Sequence, residues 1–274
     1  MIPIRDTSEV FSAIQKAKAG ASEFCTNFFP VKRKLQDWID HAELLAELRD
    51  GAALFLRKDR DFWHFYFSAA NEEMLHRAIG ALPVLQTERL VVDLVGSKAV
   101  LDGLIALLES AGFRRYKFLY RMSRLAPTVP TPASPGNPCV GYAEKTDVEA
   151  ILDLLTKSFD RYAEQLPMPY EIQAAVEGRQ FLVARRDGAL GGLLFFETQG
   201  FTSTVRYWLV AEPFRMERLG GALIHRYFAV HSGVRRFVLW VIADNENAIA
   251  RYRHYRYAPD GLVDHVLVNG MIRP

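Results

Sequence analysis

The sequence predicts an α/β (α+β) protein of two similar domains, each a twisted mixed β-sheet flanked by helices, and three observations carry that expectation. The chain has 274 residues, which is long for one compact core and suits two, because domains commonly run about 100–150 residues. A stretch at 126–138, APTVPTPASPGNP, holds five prolines and no side chain larger than Val129. Proline fixes φ and removes a backbone donor, so this stretch is expected to be an extended linker. On either side of it the same order of segments recurs, as a duplication would leave it. The expected division is 1–125, a linker at 126–138, and 139–274.

In the first half, helical spacing is read in SEVFSAIQKAK (8–18) and KLQDWIDHAELLAEL (34–48), the latter from Leu35, Trp38, Ile39, Leu45 and Leu48. AALFLRKDRDFWHFYF (52–67) reads as two strands joined by a charged turn. A helix in NEEMLHRAIGAL, a buried strand in RLVVDLV, a further helix and a last strand in KFLYRMSRL complete the half. The second half repeats the order with helices in DVEAILDLLTKSF and PYEIQAAVEG, two strands in QFLVARRDGALGGLLFFE, a buried strand in RRFVLWVIA, and a last strand in DHVLVNGMI. One difference bears on function. TSTVRYWLV (202–210) reads as an extra strand of the second half that runs into VAEPFRMERLGGALI, whereas the first half passes from FWHFYFS into a helix with no Arg and Gly turn. A phosphate site is therefore expected in the second half alone.

Composition excludes several classes. Half of the residues are hydrophobic (50%) and 24% are charged, the balance of a globular protein with a sizeable core. A net charge of +2 is too slight to argue for a polyanionic partner, so nucleic acid is not expected. Cys25 and Cys139 fit no CxxC spacing, which points away from a disulfide framework or a zinc ribbon and toward a reducing cytoplasm. The N-terminal MIPIRDTSEV lacks a signal-peptide core, and no apolar run approaches the roughly 18 residues of a membrane helix. A cytoplasmic protein without membrane contact is expected, its oligomeric state left open.

The turn at 210–224 carries the chemistry. First-turn N–H groups of a helix lack internal partners, and the macrodipole adds positive character there, so an anion suits that place. Gly220 and Gly221 open the backbone to close approach, and Arg215 offers a planar fork of donors. A helix start with no ligand is the competing reading of the same residues.

These residues resemble the central motif of the GNAT family, the GCN5-related N-acyltransferases that bind acetyl-CoA. That motif, approximately Arg/Gln-x-x-Gly-x-Gly/Ala after a strand ending in Val, falls on Arg215, Met216, Glu217, Arg218, Leu219 and Gly220 here, with Gly221 and Ala222 continuing the helix. Pro213 lies one place later than usual, and Arg218 replaces the first glycine. At a helix start a negative φ is expected for Arg218, which admits a side chain, and a bound diphosphate would offset a cation at the positive end of the dipole. DNENAIARYRHYRY (244–257) is similar to the family's second motif, Asn-x-x-Ala-x-x-x-Tyr-x-x-x-Gly-Phe, through Asn245, Ala248 and Tyr252. Arg256 stands there for glycine and Tyr257 for phenylalanine. A helix-ending glycine is often left-handed, so either this helix ends differently or Arg256 bears the strain.

The resemblance implies acetyl transfer from acetyl-CoA to the amine of a small molecule, with both bound at once. It implies that backbone groups near Leu209 and Val210 bond the pantetheine arm and polarise the thioester carbonyl. It also makes Tyr252 the general acid and Glu197 the candidate base, with Asp160 and Glu164 lining the acceptor pocket. Each has an ordinary alternative: a packed aromatic for Tyr252, solvated surface carboxylates for the rest. The first half would have lost its cofactor site. A non-catalytic scaffold or ligand sensor with a decayed site is the alternative for the whole. RYRHYRY interleaves bases and aromatics, but helical spacing is expected to scatter them around the axis. No paired His/Cys spacing supports a metal, and no GxSxG elbow, Walker loop or dinucleotide fingerprint is present.

Overall fold

The computed structural model describes residues 1–19, 21, 23–126 and 139–270, so the expected linker, apart from Ala126, lies outside the described residues. Contacts divide the chain into one unit of residues 1–119 together with the segment from Leu262 onward, and a second unit, Tyr120–Gly261. The last strand thus joins the first unit, although the proline-rich boundary assigns it to the second. The reason is its ladder: Val266, Leu267 and Val268 pair with Asp93, Val92 and Val91, a choice of neighbour that composition does not encode.

The chain runs through β1 (Ile2–Pro3), α1 (Thr7–Lys18), β2 (Cys25–Thr26), α2 (Lys32–Asp40), β3 (Leu44–Arg49), β4 (Ala52–Asp59) and β5 (Phe62–Ala69). There follow α3 (Glu72–Gly80), α4 (Val84–Thr87), β6 (Leu90–Gly96), α5 (Lys98–Ser110) and β7 (Phe113–Leu125). After the linker come β8 (Val140–Tyr142), α6 (Val148–Ser158), α7 (Pro169–Glu177), β9 (Phe181–Arg186), β10 (Ala189–Gln199) and β11 (Thr202–Val210). A 3-10 turn over Glu212–Glu217 leads to α8 (Leu219–Val230), β12 (Arg236–Ile242), α9 (Glu246–His254) and β13 (Ala258–Asn269). In the first unit the strands lie in the order β1-β3-β4-β5-β6-β13, and in the second β12-β11-β10-β9-β8. Each unit is therefore a mixed sheet, as the sequence predicts.

Alternation along the strands builds a core on both faces of each sheet. In the first unit Leu54, Leu56, Phe65 and Phe67 pack with α3 and α5, while Phe55 and Tyr66 pack with Val10, Leu35 and Trp38 of α1 and α2. In the second, Leu182, Leu194 and Val205 pack with Leu223 and Tyr227 of α8, while Phe181, Leu193 and Phe195 pack with Ile151, Leu155 and Ile172 of α6 and α7. Helix starts are set locally. Asp6 and Glu9 form a capping box on α1, and Asn71 accepts from Met74 N–H at 2.9 Å at the start of α3.

Residues 44–48 correct the sequence reading. They form β3, not the end of a helix, because Ala42 takes φ +54° and breaks the turn after α2. Leu44 and Ala46 then bury on one face with a period of two, paired to Arg57 and Phe55 of β4. A leucine-rich run fits both periods, and the ladder decides. A second correction follows. With β3 present, β3-β4-β5 matches β9-β10-β11, so TSTVRYWLV is no extra strand. In both units the third strand pairs in parallel with the next: Trp63↔Leu90 and His64↔Val91 in the first, Thr202↔Arg236 through Val205↔Leu239 in the second.

The first unit closes its own strand gap. Beyond His64, the Asn27 amide donates to Phe65 O of β5 and to Asp93 O of β6, both at 3.1 Å, and its oxygen accepts from Phe67 N–H at 2.7 Å. Cys25 and Thr26 pair with Ala69 and Ser68 alongside. Replacing Asn27 with Ala removes three bonds and strands partly buried backbone groups. Asn27→Ala is expected to cost about 3 kcal/mol, read from urea unfolding.

Candidate active site

The second unit treats the corresponding gap differently. Register between β11 and β12 ends at Val205↔Leu239, while β11 continues to Val210. Between Phe195 and Phe196 the β10–β11 register slips, leaving Arg206 as the extra residue of a β-bulge. Further along, Ala211 N–H donates to Gly191 O at 2.9 Å. The alternation of an antiparallel ladder then commits the Leu209 backbone to β10 and turns that of Trp208 and Val210 toward the open gap. Leu209 was expected to serve there with Val210; Trp208 takes its place, because hydrogen-bonding direction alternates along a strand.

Two glycines seat the turn. A Cβ on Gly191 would lie 2.7 Å from Leu219 Cδ1 and crowd that side chain, and one on Gly192 would lie 2.9 Å from the backbone oxygen of Leu209, so glycine gives Leu219 its seat on β10 and lets β11 lie close to Gly192. Gly220 and Gly221 differ. Their nearest neighbours would be Val210 Cγ2 at 3.4 Å and Tyr255 Oη at 3.5 Å, ordinary contact distances. Packing therefore does not require glycine at either place in the first turn of α8, and both face a cavity of about 490 Å³.

Arg218 caps α8 at φ +58° and ψ 17°, the left-handed region. The expected negative φ is overturned, and the position demands what glycine supplies without strain. The chain keeps the turn at a cost of about 1–2 kcal/mol. Arg256, at φ +64°, likewise bears the strain at the end of α9. The Arg218 side chain lines the cavity together with Arg215. From α9 come Asn247, Arg251 and His254, with Tyr255 after them. These sit at i, i+4 and i+7 on one helix face, the signal that the expected scatter of RYRHYRY missed. No described residue makes an ion pair with Arg215, Arg218 or Arg251, and no acidic residue lines the cavity.

Several expected residues lie elsewhere. The Met216 side chain is 93% exposed, Leu219 is buried in the core, and Glu217 pairs with Arg186 at 3.1 Å. Asn245 caps α9 by accepting from Ala248 N–H at 3.1 Å, and Ala248 packs on the core. Ala222 N–H donates to Arg218 O at 3.2 Å, the bond that starts α8. The amides of Leu219, Gly220 and Gly221 precede it, in the turn where helix geometry supplies no internal acceptor.

Tyr252 is half-buried. Its ring lies 5.9 Å from that of Trp208, which in turn lines the cavity. Burial, and next the Glu164 carboxylate, push its hydroxyl up to about 12 against the opposing pull of Arg251. It stays protonated at neutral pH, and makes no hydrogen bond to a described residue. Glu197 sits 3.8 Å from Arg206 Nε of the bulge. Burial works against the Arg206 charge, but Glu197 and Tyr207 outweigh it and hold the guanidinium above its usual range. Asp160 Oδ1 accepts from Tyr162 and Ala163 N–H, and Glu164 Oε2 accepts from Asp160 N–H at 2.9 Å, so both carboxylates shape their loop. Tyr207 ties that loop to β11, its hydroxyl donating to Glu164 O at 2.7 Å. Among the described residues no group of three or more His, Cys, Asp or Glu is placed to hold a metal, and no helix is long and apolar enough to cross a membrane.

Residues 148–255 match the model of the Acetyltransferase (GNAT) family. Residues 148–255 thus form a domain that matches the GNAT acetyltransferase family, and this family match supports acetyl transfer in general as its chemistry. Solved structures extend the likeness of fold to the whole length. A tandem GNAT protein from the clavulanic acid biosynthesis pathway is 13% identical with a TM-score of 0.59, covering 99% of each chain. A Drosophila protein is 16% identical at TM-score 0.59 over 97% of each chain. A GCN5-related N-acetyltransferase from Sphaerobacter thermophilus is 17% identical at TM-score 0.57, covering 81% of this chain and 77% of its own. The arrangement is that of a tandem GNAT fold. No curated protein sequence matches the chain.

Two substitutions test this geometry. Gly220→Ala is expected to stabilise the folded chain by about 0.5–1 kcal/mol in denaturant unfolding while weakening acetyl-CoA binding in titration calorimetry, because the helix gains what the ligand loses. The Tyr257 hydroxyl is buried and has no hydrogen-bond partner among the described residues. Tyr257→Phe is accordingly expected to raise stability by about 1 kcal/mol or more, seen as a higher urea midpoint.

Proposed function

We propose that the second unit is an N-acetyltransferase that moves the acetyl group of acetyl-CoA to the amine of a small molecule by direct attack in a ternary complex. The observation that carries this reading is the pair Gly220 and Gly221, which packing does not require, facing a cavity with three unpaired arginines. Bound there, acetyl-CoA supplies an acetyl group activated as a thioester. First-turn amides of α8, with Arg215 and Arg218, hold the diphosphate. Trp208 and Val210 present backbone N–H and C=O groups to the pantetheine arm along the gap beside β11, where an N–H can stabilise charge on the carbonyl oxygen.

Tyr252 donates a proton to the departing sulfur, a role its high pKa preserves across physiological pH. Glu197, loosely paired with Arg206, draws the proton from the amine directly or through water. Asp160 and Glu164 set the loop beside the acceptor. Cys25 and Cys139 are joined in no disulfide, which suits a reducing cytoplasm.

Millimolar acetyl-CoA is expected to raise the melting temperature by several degrees, as a ligand far above its Kd adds about 2.7 kcal/mol or more. Thiol release across an amine panel then reads turnover. Tyr252→Phe is expected to lower turnover about a hundredfold with cofactor Kd within about twofold of wild type. An unshifted melting temperature overturns the cofactor reading, and a wild-type rate removes Tyr252 from the acid role.

A further inference from the structure

The cavity holds more cationic groups than a diphosphate needs. Arg215 and Arg218 flank the first turn of α8, whose amides by themselves suit an anion. Arg251 and His254 come from another element, three residues apart on one face of α9, and reach the same cavity. No carboxylate lines the cavity, so a ligand with several negative charges suits it. Coenzyme A carries its charges in two groups, the diphosphate and the 3′-phosphate of its ribose. The two sources of cations match that division.

We infer that Arg251 and His254 form a recognition site for the 3′-phosphate of coenzyme A, separate from the diphosphate cradle. The inference rests on the acetyl-CoA reading above. Arg251 presents a planar fork to phosphate oxygens, and His254 adds a ring N–H. Asn247, one turn earlier on the same face, offers a neutral donor to the ribose.

Calorimetric titration of the full chain with CoA and with 3′-dephospho-CoA tests it. Wild type is expected to bind CoA at least about tenfold more tightly. The double variant Arg251→Gln with His254→Gln is expected to bring the two affinities within about twofold, by weakening CoA and leaving the dephosphorylated ligand nearly unchanged. Arg218→Gly, as a control in the cradle, is expected to weaken both ligands by a similar factor and keep their ratio. Equal affinities in wild type, or a ratio unaltered in the double variant, overturn the inference while the acetyl-CoA reading stands. Failure of both ligands to bind wild type brings down that reading, and this inference with it.

Discussion

Parallel strands β11 and β12 stop pairing after Val205 and Leu239, and a sheet that opens in this way leaves backbone N–H and C=O groups that must find other partners. The site follows from how that requirement is met. Backbone alternation turns Trp208 and Val210 toward the opening, and the bulge at Arg206 sets the phase in which they do so. In the first unit the equivalent opening between β5 and β6 is filled from within, by the amide of Asn27 reaching both strands. The same topology therefore yields a sealed core in one half and an open groove in the other. The difference lies in a short segment before α2 and in the bulge at Arg206, which the evenly paired β4–β5 ladder lacks.

Arginine at two left-handed positions adds a second constraint. Arg218 and Arg256 both hold a conformation that glycine adopts freely, and each gives up conformational energy to keep it. At Arg256 the return is structural, since the turn delivers Tyr257 into the core. At Arg218 the strained residue lines the cavity beside Arg215. Persistence of the turn despite an unfavourable residue shows that its geometry is dictated by what surrounds it, above all the seating of Leu219 against Gly191 and β10.

The residues proposed for acid chemistry and for the acceptor depend on longer-range packing. Tyr252 owes its raised pKa to burial and to Glu164, a residue 88 positions away in a loop pinned by Tyr207. Glu197 meets Arg206, the extra residue of the bulge opposite Phe195 and Phe196 of β10, at 3.8 Å. Carboxylates at 160 and 164 accept bonds from their own loop and order it.

Local pattern by itself determined most of the order of helices and strands, the duplicated layout, and the strand-turn-helix junction at Arg215–Gly221, because periodicity, caps and glycine placement act over a few residues. It failed at Leu44–Leu48, where a leucine run satisfies both periods and strand pairing alone chooses. It also failed to separate Gly191 and Gly192, which packing demands, from Gly220 and Gly221, which it does not. Only the tertiary structure decided which sheet receives the last strand, which strand groups face the gap, and that α9 aligns Arg251 and His254 on the cavity. Those outcomes depend on distances between segments far apart in the chain, and no short stretch of sequence contains them.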